Sequence, residues 1–314
     1  MLVRTVLVVG FLVLLVVGCR KEPTPQPVVP FSAKAVGEKP GLHNVHQLAD
    51  KLFSGSSPEG DVGFRSLREL GIVTVLSVDG AQPDVATARK YGLTYAHLPV
   101  GYDGVPRDAA LRIARVVRDS PGPVYVHCHH GKHRGPAAAV AACRCLNGRC
   151  DARAALDFLA TAGTDPRYKG LFADVERMNS VTSAELDGAA GLPEAAKVPD
   201  LTRLMVGIDE RWDRLKAVKA AGWKTPPDHP DVDPPHEAVQ LAEYYREAAR
   251  LPGIAADREG IVREFVEAET TARELEASLR ARDVNRTEAA FRVSASACTR
   301  CHATHRDLPS RPVR

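Results

Sequence analysis

The sequence predicts an α/β domain followed by an all-α four-helix bundle, on three observations. Short apolar runs alternate with helical patterns from Leu42 to Met178, no strand pattern follows Asp200, and a small, polar stretch over 181–199 separates the two halves. At 314 residues with 44% apolar side chains, the chain is long enough for two cores and carries no mark of global disorder.

In the first half, 73–78, 93–98 and 124–126 read as strands rich in Val, Leu and Tyr. Between and after them, 86–91, 109–117, 137–146 and 152–160 read as helices, which gives a βα alternation and a largely parallel central sheet. In the second half, Leu201, Leu204, Met205, Ile208, Trp212 and Leu215 recur at helical spacing. Ile261, Phe265, Ala268, Ala272, Leu275 and Leu279 do the same. Two further helical stretches, 237–249 and 287–302, make four helices the economical solution, with 226–235 as a loop across one end.

Ahead of both halves, Arg4 precedes an apolar run over 6–17 that ends in Gly18-Cys19. The run is too short to span a bilayer comfortably but suits signal cleavage. It resembles a bacterial lipoprotein signal over 1–18. That resemblance implies a lipid on Cys19 and a periplasm-facing anchor in the cell envelope, in the outer membrane rather than the inner. An ordinary cleaved secretory signal is the other reading. Residues 19–41, with Pro23, Pro25, Pro27 and Pro30, form an extended tether. The expected division is then 42–180, a linker over 181–199, and 200–314. Forty-two basic against 39 acidic residues is too balanced for a nucleic-acid partner.

The densest chemistry lies at the end of the third strand, where His127-Cys128-His129-His130-Gly131-Lys132-His133-Arg134-Gly135 runs into a helix. A loop of this size turns successive backbone N–H groups toward one centre, and the following helix adds its positive end. An anion fits there. Arg134 can grip two oxygens with its planar fork, and the same field favours the thiolate of Cys128. Pro136 suits the first helical turn because it has no N–H to lose.

Over about 42–178 these features resemble the protein tyrosine and dual-specificity phosphatase superfamily, whose signature is His-Cys-x5-Arg between a strand and a helix. The resemblance implies that Cys128 attacks phosphorus and forms a phosphocysteine, that His127 buttresses the loop, and that no metal is needed. It also implies an Asp general acid on a preceding loop, which makes Asp103 in Leu98-Pro-Val-Gly-Tyr-Asp103-Gly the candidate. Asp79, after an earlier strand, is the second candidate and reads as a turn residue. The family usually has Ser or Thr after the arginine, where the hydroxyl helps the cysteine leave; here Gly135 stands, so slow turnover is expected. His129, His130 and His133 with Lys132 are expected to make the rim cationic and to favour a phosphorylated small molecule or phosphoprotein. A metal among these histidines is the lesser expectation.

Near the C-terminus, Cys298-Thr-Arg-Cys301-His302 has the spacing for covalent haem: two thiols add to the vinyl groups and the imidazole reaches the iron. With the helical pattern from about 200 to 306, it resembles cytochrome c-prime and its low-spin relatives. Arg306 matches that family's motif, and His305 replaces its aromatic residue. The resemblance makes Met205 the candidate sixth iron ligand, with core packing as the other explanation. It also implies a periplasmic redox partner.

Of the seven cysteines, Cys143, Cys145 and Cys150 have no assigned chemistry; a local disulfide and buried thiols are both open. Three whole-protein readings follow. The first is an envelope phosphatase with a haem domain for electron transfer or for redox or gas sensing. The second is an electron carrier whose first domain only binds an oxyanion or phosphorylated partner. The third uses Cys128 as a persulfide carrier.

Overall fold

The computed structural model describes residues 31–146, 150–255 and 259–306. The signal segment, Cys19 and the prolines of the tether lie outside the described residues. Among the described residues, no helix is long and apolar enough to cross a membrane.

The first half is built on a six-stranded mixed sheet. Its strands are β1 (Lys34–Ala35), β2 (His46–Ala49), β3 (Leu52–Ser56), β4 (Thr74–Ser77), β5 (Thr94–His97) and β6 (Val124–Cys128), in the order β1-β2-β3-β6-β4-β5. The first three pair antiparallel, while β3, β6, β4 and β5 are parallel. Central β6 is buried along its whole length, which is why its sequence is a continuous run and does not alternate. The sheet is flanked by α1 (Gly60–Glu69), α2 (Val85–Lys90), α3 (Arg107–Asp119), α4 (Arg134–Cys145), α5 (Ala152–Thr161) and α6 (Lys169–Arg177). Helix α4 packs on β3 and β6 on one side and on α3, α5 and α6 on others; Ala137, Ala138, Ala139, Ala141 and Ala142 are all fully buried, and their small side chains let it lie close to these neighbours.

The expected strands coincide with β4, β5 and β6, and the expected helices with α2 to α5. Strands β2 and β3 were not anticipated, because Leu52-Phe-Ser-Gly-Ser56 mixes turn-forming residues into a strand buried on both sides. The stretch expected as a linker is also structured. It forms α7 (Ser183–Gly188), capped reciprocally by Thr182 and Glu185, and Leu186 enters the first core. The chain then runs along the sheet edge, where His97 donates its backbone N–H to Pro193 O over 2.8 Å.

The second half is helical: α8 (Asp200–Ala220), α9 (Pro234–Arg250), the short α10 (Pro252–Ala255), α11 (Glu259–Ala281) and α12 (Val284–His305). Helix α9 packs on α8 and α11, and α11 on α12. Their shared core contains Ile208, Leu215, Leu241, Phe265, Leu275 and Phe291, with Trp212 stacked on Phe291 at 4.4 Å between ring centroids. Helix α8 also rests on the first half. A Cβ at Gly80 would come within 2.4 Å of Thr202 Cγ2, so glycine is needed for this approach.

Candidate active site

The carboxyl ends of the parallel strands gather the chemistry, the usual place for ligands in such sheets. Asp79 follows β4, Tyr102 and Asp103 follow β5, and the loop 128–134 follows β6. The loop's shape is set from outside. Ser57 N–H donates to His129 O (3.0 Å), Asn44 Nδ2 to Gly131 O (2.9 Å) and Thr164 Oγ1 to Lys132 O (2.6 Å). In a trans peptide the next N–H points opposite the carbonyl. Carbonyls held outward therefore turn the N–H groups of His130, Lys132 and His133 inward, toward the start of α4.

Gly131 is required by this arrangement. Its φ is +67°, and a Cβ there would lie 2.3 Å from the Gly55 carbonyl carbon in β3. Asn44, another positive-φ residue at +54°, also donates to Ala162 O and so ties the loop to the end of α5. Gly135 sits directly beneath Cys128: a Cβ would meet Cys128 N at 3.0 Å and Cys128 Sγ at 3.4 Å.

Cys128 is buried at the end of β6, and Arg134 opens α4 with its side chain 12% exposed. Asp79 Oδ2 accepts from Arg134 Nη2 at 3.1 Å and from His129 N–H at 2.5 Å, while Oδ1 accepts from Ala81 N–H. Burial opposes the charge on both partners. Even so, the Arg134 charge and the Ala81 hydrogen bond hold the Asp79 carboxyl below its ordinary range, and Asp79 raises Arg134. Asp79 is thus a buried counter-ion of the loop, a stronger role than the turn residue expected from sequence. Asp103 is exposed on the loop before α3, with its side chain turned toward Gly101 and its backbone against Gly170. The structure brings Asp79 into contact with Arg134 and leaves Asp103 exposed on the loop after β5.

The histidines correct the expected cationic rim. Burial drives His127 and His133 each down to about 4, and burial together with His129 lowers His130. Only His129 is raised, by its hydrogen bond to Asp213 of α8. Of the rim residues, Lys132 is exposed and His129 Nε2 faces Asp213 Oδ2 at 3.1 Å. His127 Nε2 meets Tyr95 Oη at 2.6 Å, which fixes its ring behind the loop.

Sequence reasoning did not find an aromatic wall beside Arg134. The Tyr102 ring lies under its guanidinium at 4.5 Å and against the rings of Tyr168 (4.7 Å) and His133 (6.2 Å); burial pushes the Tyr102 phenol up to about 12. No sequence signal pointed to Tyr168, Asn44 or Asp213, because each reaches the loop from a remote element.

In the helical half, Cys298, Cys301 and His302 share one face of α12 by their spacing. Tyr245 Oη lies 3.5 Å from Cys298 Sγ. Burial raises the Cys298 thiol and takes Cys301 to about 11. Two thiols and an adjacent imidazole on one helical face are the donor set that covalent haem would require. Met205 lies on α8 against the helical core. Cys143, Cys145 and Cys150 are buried thiols not joined in a disulfide, and Cys150 is raised by its hydrogen bond with Cys143 and by burial.

No protein-family model matches the chain, and no curated protein matches it significantly. Among solved structures, P. aeruginosa TpbA is 24% identical, spans 51% of this chain and 94% of its own, and has a TM-score of 0.41. A cysteine-to-serine variant of TpbA in complex with pTyr is likewise 24% identical over 53% of this chain and 96% of its own, TM-score 0.41. A DUF442 protein from Shewanella putrefaciens is 20% identical over 43% of this chain and 90% of its own, TM-score 0.34.

Proposed function

We propose that this chain is a cysteine-dependent phosphatase of the tyrosine/dual-specificity type, joined to a covalent c-type haem domain and anchored to the bacterial envelope through Cys19. The single observation that carries the phosphatase reading is the loop after β6. Outward-held carbonyls at His129, Gly131 and Lys132 turn amides inward above Cys128, and Arg134 flanks it.

In this reading the Cys128 thiolate attacks the phosphorus of a phosphomonoester, forming an S–P bond as the P–O bond to the alcohol or phenol breaks. Arg134 and the inward amides hold the three non-bridging oxygens. Asp103 gives its proton to the leaving oxygen, and its exposure on the loop after β5 suits that part. Asp79 does not, because its Oδ2 already accepts from Arg134 Nη2 and from the His129 N–H, and its Oδ1 from the Ala81 N–H. Water, deprotonated by Asp103, then displaces the thiolate and releases phosphate. Gly135 offers that departing sulfur no hydroxyl, so the second step is slow.

Cys298 and Cys301 would hold the haem through thioethers and His302 would be its proximal ligand, with Met205 the candidate sixth ligand. When bound, that group supplies one-electron chemistry or gas binding. A redox partner in the periplasm and a phosphorylated small molecule or phosphoprotein as substrate complete the reading.

The test is hydrolysis of an aryl phosphate by the wild type and by Cys128→Ser, with chemical trapping of phosphate on Cys128. Loss of hydrolysis and of trapping in the variant is expected. Equal rates would exclude the phosphatase and leave an oxyanion-binding or persulfide-carrying domain. For the haem, a thioether-haem absorption spectrum is expected in the wild type, absent from Cys298→Ala/Cys301→Ala.

A further inference from the structure

The docked face of α8 carries a constellation that the phosphatase chemistry does not use. His129 and His130 leave the phosphate loop side by side, their ring centroids 4.3 Å apart, and both face Asp213 of α8. Asp213 Oδ2 lies 3.1 Å from His129 Nε2 and 3.9 Å from His130 Nε2, and one ligand atom from each residue falls within 4.8 Å of the others. We propose that His129, His130 and Asp213 form a binding site for one divalent first-row transition metal of the zinc class, which clamps α8 onto the phosphate loop.

The donor chemistry fits. Two imidazoles and one carboxylate are borderline ligands that suit zinc, cobalt or ferrous iron over calcium or magnesium. With metal–ligand bonds near 2.0–2.2 Å, tetrahedral ligands stand about 3.4 Å apart. The His129–Asp213 separation already meets that spacing. The His130–Asp213 separation needs to close by roughly half an ångström and the two imidazoles, within 4.8 Å of each other, by up to about 1.4 Å; His130 can supply both because its side chain is 47% exposed.

The surroundings also suit a ligand set. Asp213 Oδ1 is paired with Lys216, which orients the carboxylate so that Oδ2 faces the imidazoles. Asp209, one turn earlier on the same helix, adds negative charge toward both histidines. Three protein ligands leave at least one open position, the arrangement of a site that also takes water or an oxyanion. The site does not consume Cys128: the cysteine is buried beneath the loop while the imidazoles leave its outer side toward α8.

The inference stands whether or not the loop hydrolyses phosphate and whether or not haem is attached. The experiment is equilibrium dialysis of the chelator-stripped full chain against zinc, with zinc per protein measured by elemental emission. All samples carry Cys298→Ala/Cys301→Ala, which removes the α12 thiols as competing ligands. One zinc per chain is expected, with affinity falling at least tenfold in His130→Ala and in Asp213→Asn. Cys128→Ser should keep the site. Zinc should also raise the Tm of the parent protein by several degrees and leave Asp213→Asn unmoved. Circular dichroism matching that of the parent protein establishes that each variant is folded, and Asp213→Asn, nearly isosteric, serves if His130→Ala does not fold. Retention of zinc in both ligand variants, or its loss in Cys128→Ser, overturns the proposal, the second outcome assigning the metal to the thiol.

Discussion

The guanidinium of Arg306 lies 4.3 Å from the centroid of the Tyr102 ring, and that same ring carries Arg134 at 4.5 Å. A residue four positions beyond His302 therefore shares an aromatic ring with Arg134. Arg306 also donates to Tyr168 Oη at 3.2 Å, and its guanidinium lies 5.5 Å from the Tyr168 ring. Cation–π contacts of this kind contribute about 0.5–1 kcal/mol each at partly exposed sites. Arg306→Ala is expected to loosen Tyr102 and raise the KM for an aryl phosphate about two- to fivefold, with a smaller change in kcat. Steady-state kinetics check this, and an unchanged KM would mean that the end of α12 does not support the loop.

Asp79 competes with any phosphate for Arg134 Nη2 and for the His129 N–H. Asp79→Asn keeps the side-chain shape and removes the charge. Inorganic phosphate should then bind at least about tenfold tighter, some 1.4 kcal/mol. Without phosphate the variant loses stability, because Arg134 is left buried without its counter-ion; breaking such a pair costs about 3–5 kcal/mol when one partner is truncated, and less in an isostere. Denaturant unfolding with and without phosphate should show a midpoint that falls in its absence and recovers in its presence. A midpoint indifferent to phosphate would count against Asp79 as the loop's counter-ion.

The parts of this site written in consecutive residues were legible from sequence, and the parts assembled across the fold were not. The loop from His127 to Gly135 is a local pattern whose spacing alone implies its geometry. Strands β4, β5 and β6 were visible because parallel buried strands need unbroken Val, Leu and Tyr runs. Strand β3 was hidden because Ser54, Gly55 and Ser56 serve close packing: a Cβ at Gly55 would lie 2.2 Å from Tyr125 Oη. Asp79 read as a turn because nothing in Val78-Asp79-Gly80 announces that residue 134 will arrive beside it. The cationic rim was overestimated for a related reason: burial that keeps His133 neutral comes from Tyr102 and Tyr168, which lie far from it in sequence.

Gly135 is the place where the loop departs from the usual hydroxyl, and the structure shows the cost of restoring it. A Cβ there would press on Cys128 N at 3.0 Å and His127 C at 3.3 Å, so Gly135→Ser must shift the loop by a few tenths of an ångström. Overpacking of this kind costs about 1–3 kcal/mol. The new hydroxyl would lie near Sγ and assist its departure. Rapid-quench kinetics should show a burst of phenol and accumulated phosphocysteine in the wild type, and a smaller burst with faster steady turnover in Gly135→Ser, alongside a lower Tm. A wild type without a burst would place the slow step before phosphocysteine forms.

His97 makes the fold sensitive to acid in a predictable direction. It is fully buried; Nε2 lies 2.8 Å from Asp79 O and Nδ1 accepts from the Ala196 N–H at 3.0 Å, so the neutral ring with its proton on Nε2 satisfies both neighbours. A second proton on Nδ1 would face the Ala196 N–H. Burial lowers the His97 pKa, outweighing the hydrogen bond to Asp79 and its charge, which raise it. A group depressed in the folded state contributes stability that is fully present above its unfolded value near 6.5. That contribution is lost as pH falls from about 6.5 through the lowered folded value. Tm should therefore decline below about pH 6.5, with the Ala196 amide among the first to lose hydrogen-exchange protection as the segment after α7 detaches. His97→Asn offers an oxygen to the Ala196 N–H and cannot titrate, so its Tm should be lower at neutral pH and should change less between pH 7 and pH 5. A variant whose Tm tracks the wild type across that range would move the acid sensitivity to another group.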